Sequence, residues 1–174
     1  MARRPAWLWL APVLLGALAG RAEPAGPTRI ERVDIVVDAP YALFGRTRAE
    51  VEARLGAPTG VRSRSVTRPG DRRVATVVDE LAYPGLVIEV SESRIRRVRM
   101  TAPGHALPFG VSLGVPRSQV EDLLGEPQQT TDTLSLYLYS DGYPDTVTFH
   151  FRNDRLHRIE WVYWVPGIPA GADD

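Results

Sequence analysis

The clearest pattern in the chain is an alternation near its end. Val147, Phe149 and Phe151 are interleaved with Thr148, His150 and Arg152, the period-2 signature of a strand with one buried face. Residues 134–139 and 155–165 read as strands on either side of it. The turn-rich stretch 140–144 (Ser-Asp-Gly-Tyr-Pro) and the pair Asn153-Asp154 join the three. Residues 74–83, 86–90 and 94–100 form a second set of the same kind. Ile88 corresponds to Phe149, Val90 to Phe151, Ile95 to Leu156 and Val98 to Ile159. Residues 30–37 read as an additional early strand.

A helical phrase precedes each set. Residues 45–58 read G-R-T-R-A-E-V-E-A-R-L-G-A-P, and residues 114–127 read G-V-P-R-S-Q-V-E-D-L-L-G-E-P. Val51/Val120, Glu52/Glu121, Leu55/Leu124, Gly56/Gly125 and Pro58/Pro127 keep register without a gap. Thr47 and Glu50 have the spacing of a capping box. In the second copy Pro116 stands where a missing N–H costs little. Valine and leucine four residues apart share a helix face. Gly56 and Gly125 are placed to end the helices, and the following prolines forbid continuation. Each phrase predicts a helix of two to three turns. The expected fold is α+β, two tandem repeats, each a short helix packed on an antiparallel β-meander.

Residues 1–22 are expected to be an export signal. Arg3 and Arg4 form a basic start, residues 7–19 an apolar run too short to span a bilayer well, and Gly20 and Ala22 a cleavage pattern. Pro-Ala-Trp after the arginine pair matches a twin-arginine signal poorly. The expected division is signal peptide 1–22, first repeat 23–101, second repeat 102–166 and tail 167–174. The mature chain carries no expected transmembrane segment, and its expected location is periplasmic or secreted.

The phrase G-x-(T/P)-x-x-x-V-x-x-x-L-G-x-P resembles the SmpA/OmlA (BamE-like) domain of bacterial envelope proteins. A Tyr-bearing strand, an aromatic strand and an ending R-L-x-x-I continue the likeness. It covers residues 43–100 and 109–162, and the doubling is similar to the tandem architecture of the β-lactamase inhibitory protein family. The resemblance implies non-enzymatic work in the cell envelope, either outer-membrane assembly or gripping another protein with an exposed sheet. BamE itself is a lipoprotein with one unit; this chain has no Cys to lipidate.

The absence of Cys excludes disulfides, thiolate metal sites and cysteine nucleophiles. No H-E-x-x-H, G-x-S-x-G or Gly-rich phosphate loop occurs, so neither enzyme nor cofactor is expected. Counting back from Asn153-Asp154 makes His150 and His157 cross-strand neighbours. A metal-binding pair is the weakest reading of them, against two solvent-facing histidines, since no third ligand is evident. His105 reads as linker. Asp79 and Glu80 read as a solvated strand start.

Charge adds more. The 21 basic residues, all Arg, balance 21 acids, which excludes a wholly basic nucleic-acid binder. Yet residues 29–101 hold fourteen Arg against ten acids, and residues 102–174 hold four against ten. Arg62, Arg64, Arg68, Arg72 and Arg73 are expected in a loop, and Arg94, Arg96, Arg97 and Arg99 on a strand. These clusters suit anionic lipid, lipopolysaccharide or an acidic protein face, with an ordinary solvated loop and charged strand as the alternative. At the end of the last strand, Trp161 and Tyr163 share a face with Ile159, and Trp164 points the other way.

The sequence therefore points to an exported, non-enzymatic envelope protein acting through protein–protein contacts. Arg94, Arg96, Arg97, Arg99, Tyr139 and Trp164 are its candidate binding residues. The alternatives are a secreted inhibitor of a hydrolase and, more weakly, a metal binder or enzyme using His150 and His157.

Overall fold

The computed structural model describes residues 26–68, 71–91 and 94–165. The expected signal at 1–22 and the tail at 167–174 lie outside the described residues.

Three helices come first: α1 (Arg29–Val37), α2 (Ala39–Phe44) and α3 (Arg48–Leu55). Four strands follow, β1 (Gly60–Arg68), β2 (Asp71–Tyr83), β3 (Leu86–Ser91) and β4 (Arg94–Met100). A 3-10 turn at Pro108–Gly110 leads into α4 (Arg117–Leu124). Then come β5 (Gln129–Thr131), β6 (Leu134–Leu138), β7 (Thr146–Arg152) and β8 (Arg155–Val162). The strands form one antiparallel sheet in the order β1-β2-β3-β4-β8-β7-β6-β5. The class is α+β. The two meanders meet at the β4–β8 seam, where Arg97, Val98, Arg99 and Met100 pair with Val162, Trp161, Glu160 and Ile159. No helix among the described residues is long and apolar enough to cross a membrane.

Both repeated phrases are helices. Thr47 Oγ1 accepts the Glu50 N–H at 3.3 Å. Glu50 departs from the expected box by accepting the Arg46 N–H, at 2.7 Å, instead of that of Thr47. Gly45, at φ 92°, lies so close to Glu50 that a Cβ there would run into its side chain. Gly56 and Gly125 end α3 and α4 at φ 81° and 87°, their N–H groups bonded to the carbonyls of Glu52 and Glu121.

Residues 30–37 are a helix, not the expected strand. Thr28 and Glu31 form a complete capping box, and Val33, Val36 and Val37, spaced three and four apart, are all buried. The β-branched content suggested a strand, but the cap and the helical spacing prevail. Arg62 and Arg64 are not in a loop. β1 pairs with β2 along its length, so they stand on an edge strand. Side chains of Arg68, Arg72 and Arg73 lie outside the described residues. The last strand ends at Val162 rather than 165.

The core lies between the helices and one face of the sheet. Ile88, Ile95, Val98, Val147, Phe149, Leu156, Ile159 and Trp161 supply the sheet side, each essentially unexposed. From the helices come Val36, Val37, Phe44, Val51, Val120 and Leu124. Burial on this scale, at roughly 25 cal/mol per Å² of apolar surface, is the main stabilising force. The end of α1 is tied to β8 by polar bonds. Trp161 Nε1 donates to the Val36 carbonyl at 2.9 Å, and the Tyr163 hydroxyl to the Val37 carbonyl at 2.7 Å. A helix C-terminus leaves its last carbonyls without partners, and these two buried donors satisfy them.

Tyr163→Phe leaves the Val37 carbonyl buried without that donor while sparing the ring. We expect a loss of about 1–3 kcal/mol. Urea denaturation should show a lower midpoint at unchanged m value.

Candidate functional site

The helices cover one face of the sheet. The other is uncovered among the described residues, apart from a small cluster in which Val165 closes over Val66 and Val78. Strand register assigns its side chains. One row crosses seven strands as Arg62, Glu80, Glu89, Arg97, Val162, Thr146 and Leu138. A second runs Gly60, Ala82, Val87, Arg99, Glu160, Thr148, Leu136 and Gln129. Arg158, His150, Leu134 and Thr131 make a third. The β1–β4 half is thus charged and rich in arginine. The β5–β8 half presents Leu134, Leu136, Leu138, Thr146, Thr148 and Val162, with Glu160, Arg158 and His150 polar among them.

Two carboxylates organise the arginines. Glu89 is buried, and its Oε2 accepts from Arg96 Nη1 at 2.8 Å and Arg64 Nη2 at 3.1 Å. Arg96 is the additional residue at a β-bulge, since Glu89 faces Arg97 while Val90 faces Ile95. Arg96 is only 3% exposed, packed against Glu89. Its part in the candidate set is therefore to hold Glu89. Glu160 serves the second group: Oε1 lies 3.7 Å from Arg97 Nε and 3.5 Å from Arg99 Nη2. Its Oε2 is 3.5 Å from His150 Nε2. Arg158 Nη2 lies 3.0 Å from His150 Nδ1. The same Arg158 nitrogen is 3.2 Å from His150 Nε2, so the ring lies between the guanidinium and the Glu160 carboxylate. The His150 hydrogen bond, with Arg97, Arg99 and Arg158 nearby, holds the Glu160 carboxyl down at about 2.

The expected His150–His157 pair does not form. A second bulge sets His150 opposite Arg158 and Phe151 opposite Leu156, leaving His157 as the additional residue. The tight turn is present, with Asn153 and Asp154 at positive φ; the bulge beyond it breaks the count. No group of three His, Cys, Asp or Glu among the described residues could hold a metal ion. His105 lies in the connector, as expected, and its ring meets Phe44 edge-on at 4.9 Å.

The aromatic candidates separate. Tyr139 is on the helix-covered side, its hydroxyl 3.4 Å from Asp38 Oδ2. Trp164 is turned away from the core and 43% exposed. It sits 6.0 Å from the ring of Tyr143, itself 56% exposed and absent from the sequence-based set. Asp145 accepts the Trp164 N–H at 2.6 Å, and Asp141 accepts the Tyr143 N–H at 2.8 Å. Burial pushes the Asp145 carboxyl up. Leu138, Tyr143 and Trp164 together leave exposed apolar surface around the β6–β7 turn. Arg94, at the start of β4, is exposed.

Two measurements check this electrostatic framework. Glu89→Ala removes the buried carboxylate that Arg96 and Arg64 share and should cost about 3–5 kcal/mol in denaturant. Glu160, depressed when folded and ordinary when unfolded, contributes stability that is full above about pH 4.5. That contribution is lost as pH falls toward about 2. Glu160→Gln should therefore flatten the fall of the unfolding midpoint across that window.

No family model matches the chain, and no curated protein does. Similar solved structures include the two that follow. The uncharacterized protein yfeY from Escherichia coli shares 16% identity at a TM-score of 0.40, over 66% of this chain and 86% of its own. A "putative beta-lactamase inhibitor protein" from Streptococcus mutans shares 12% identity at a TM-score of 0.28, over 75% of this chain and 91% of its own. Likenesses this loose carry no argument about function.

Proposed function

We propose that this chain is a non-enzymatic protein of the bacterial envelope, exported by residues 1–22, that grips a partner protein with the open sheet face. It is read as two copies of a helix-plus-meander unit joined side by side. Supporting this are the matching helices α3 and α4, their glycine ends, and the mirrored strand order about the β4–β8 seam. One observation carries the binding role: the uncovered face pairs an arginine-rich half with an apolar half that ends in the exposed Tyr143–Trp164 pair. Aromatic anchors beside arginine are the residues that dominate protein interfaces. Arg97 and Arg99 are already neutralised in part by Glu160, so their service is to orient and steer a partner; the aromatic pair supplies adhesion.

A second outcome uses the same surface. Tyr143 projects from a turn beside Trp164, a shape suited to entering a cleft, and a hydrolase so engaged would be inhibited.

Photo-cross-linking in the intact envelope tests the proposal. A cross-linking residue at position 164 or 99 should capture one and the same protein, while one at Glu50 on the helix side should not. Tyr143→Ala with Trp164→Ala should weaken that complex at least tenfold. Capture through position 50 alone, or none from the open face, would refute it. Slowed turnover by a captured hydrolase or a purified β-lactamase would select the inhibitor reading.

A further inference from the structure

On the opposite side of the molecule a groove of about 530 Å³ runs between the α1–α2 elbow and the connector before α4. This surface is independent of the open sheet face. Ala39 and Leu107 are buried within it, and Leu43, Pro108 and Tyr139 are half-buried. Ile35 is 42% exposed there.

Its charged groups are all of one sign. Asp34 accepts the Ser140 N–H at 2.9 Å and the Ser140 hydroxyl at 2.5 Å. Asp38 stands between α1 and α2, and its side chain caps neither helix through a hydrogen bond of its own to α2. It receives the Tyr139 hydroxyl at a long 3.4 Å. Neither carboxylate is in an ion pair among the described residues. Arg54 reaches α2 from α3, but it is bonded to the carbonyls of Tyr41 and Ala42, at 3.3 and 2.6 Å. Asp38 is at once the C-cap of α1 and the N-cap of α2, so the two helix ends act on it in opposite senses. The Tyr139 phenol registers this field: burial pushes it up, and Asp38 and Asp34 push it further.

We propose that this groove binds a small amphiphile with an apolar body and an ammonium head. The body lies along Ile35, Leu43 and Leu107, and the head rests between the Asp38 carboxylate and the Tyr139 ring. An apolar trough of this volume suits a small molecule. The carboxylates supply the missing counter-charge, and an aromatic face attracts a cation directly. An anionic head would be repelled by the same two aspartates.

Isothermal titration with decyltrimethylammonium, a nonionic decyl glycoside and decyl sulfate, each below its micelle concentration, tests this. The ammonium compound should bind one to one, at least tenfold more tightly than the sulfate. Asp38→Asn should weaken ammonium binding several-fold and leave the glycoside unchanged. Ala42→Trp, at an exposed position on the groove wall, should abolish binding of both. Equal affinity for the three compounds, no ammonium binding, or indifference to Ala42→Trp in a normally folded variant would overturn the proposal.

Discussion

The structure depends on the junction where α1 meets β8. Trp161 and Tyr163 are core residues by area, but their polar ends also supply the last carbonyls of α1 with donors. A helix C-terminus can enter an apolar interior only if such partners are present. The consequence is topological. α1 belongs by sequence to the first half, yet it is fastened to a strand of the second. Arg32 adds a bond from α1 to the Leu123 carbonyl at the end of α4, and Asp34 bonds Ser140 beyond β6. The four residue pairs of the β4–β8 seam therefore do not hold the halves together alone.

The same junction separates the two surfaces. Helices fill one side of the sheet, so strand residues of opposite parity must face outward. Those outward positions carry Arg62, Arg64, Arg97, Arg99 and Arg158, with Glu80, Glu89 and Glu160 between them. The asymmetry first seen between sequence halves thus becomes a pattern across one face. Glu160 comes from the acidic second half and sits beside Arg99 from the basic first half. Strand pairing alone brings them together.

Bulges decide much of the chemistry. At β4 a bulge adds Arg96 beside Arg97 and leaves it buried against Glu89 instead of exposed. At β8 another places Arg158, not His157, across from His150. Each is a local insertion of one residue, and its mark in the hydrophobic alternation is slight: one step of three, Ile95 to Val98 and Leu156 to Ile159, where a strict strand steps by two. Tyr143 escaped notice for a related reason. A turn tyrosine looks like a loop residue until Trp164, far along the chain, is seen beside it.

The sequence by itself determined the two glycine-ended helices, six of the strands, the buried side of β7, and the inward direction of Trp161 and Tyr163. These are local facts, set by caps, breakers and a period of two or 3.6 residues. It also contained the cap of α1, in Thr28 and Glu31, though valine-rich content pointed toward a strand. Only the tertiary structure decided that both meanders share one sheet, which carboxylate each arginine meets, and that Tyr139 and Trp164 lie apart. Those outcomes depend on strand register and on pairing between residues distant in the chain. A one-residue bulge changes register without changing composition.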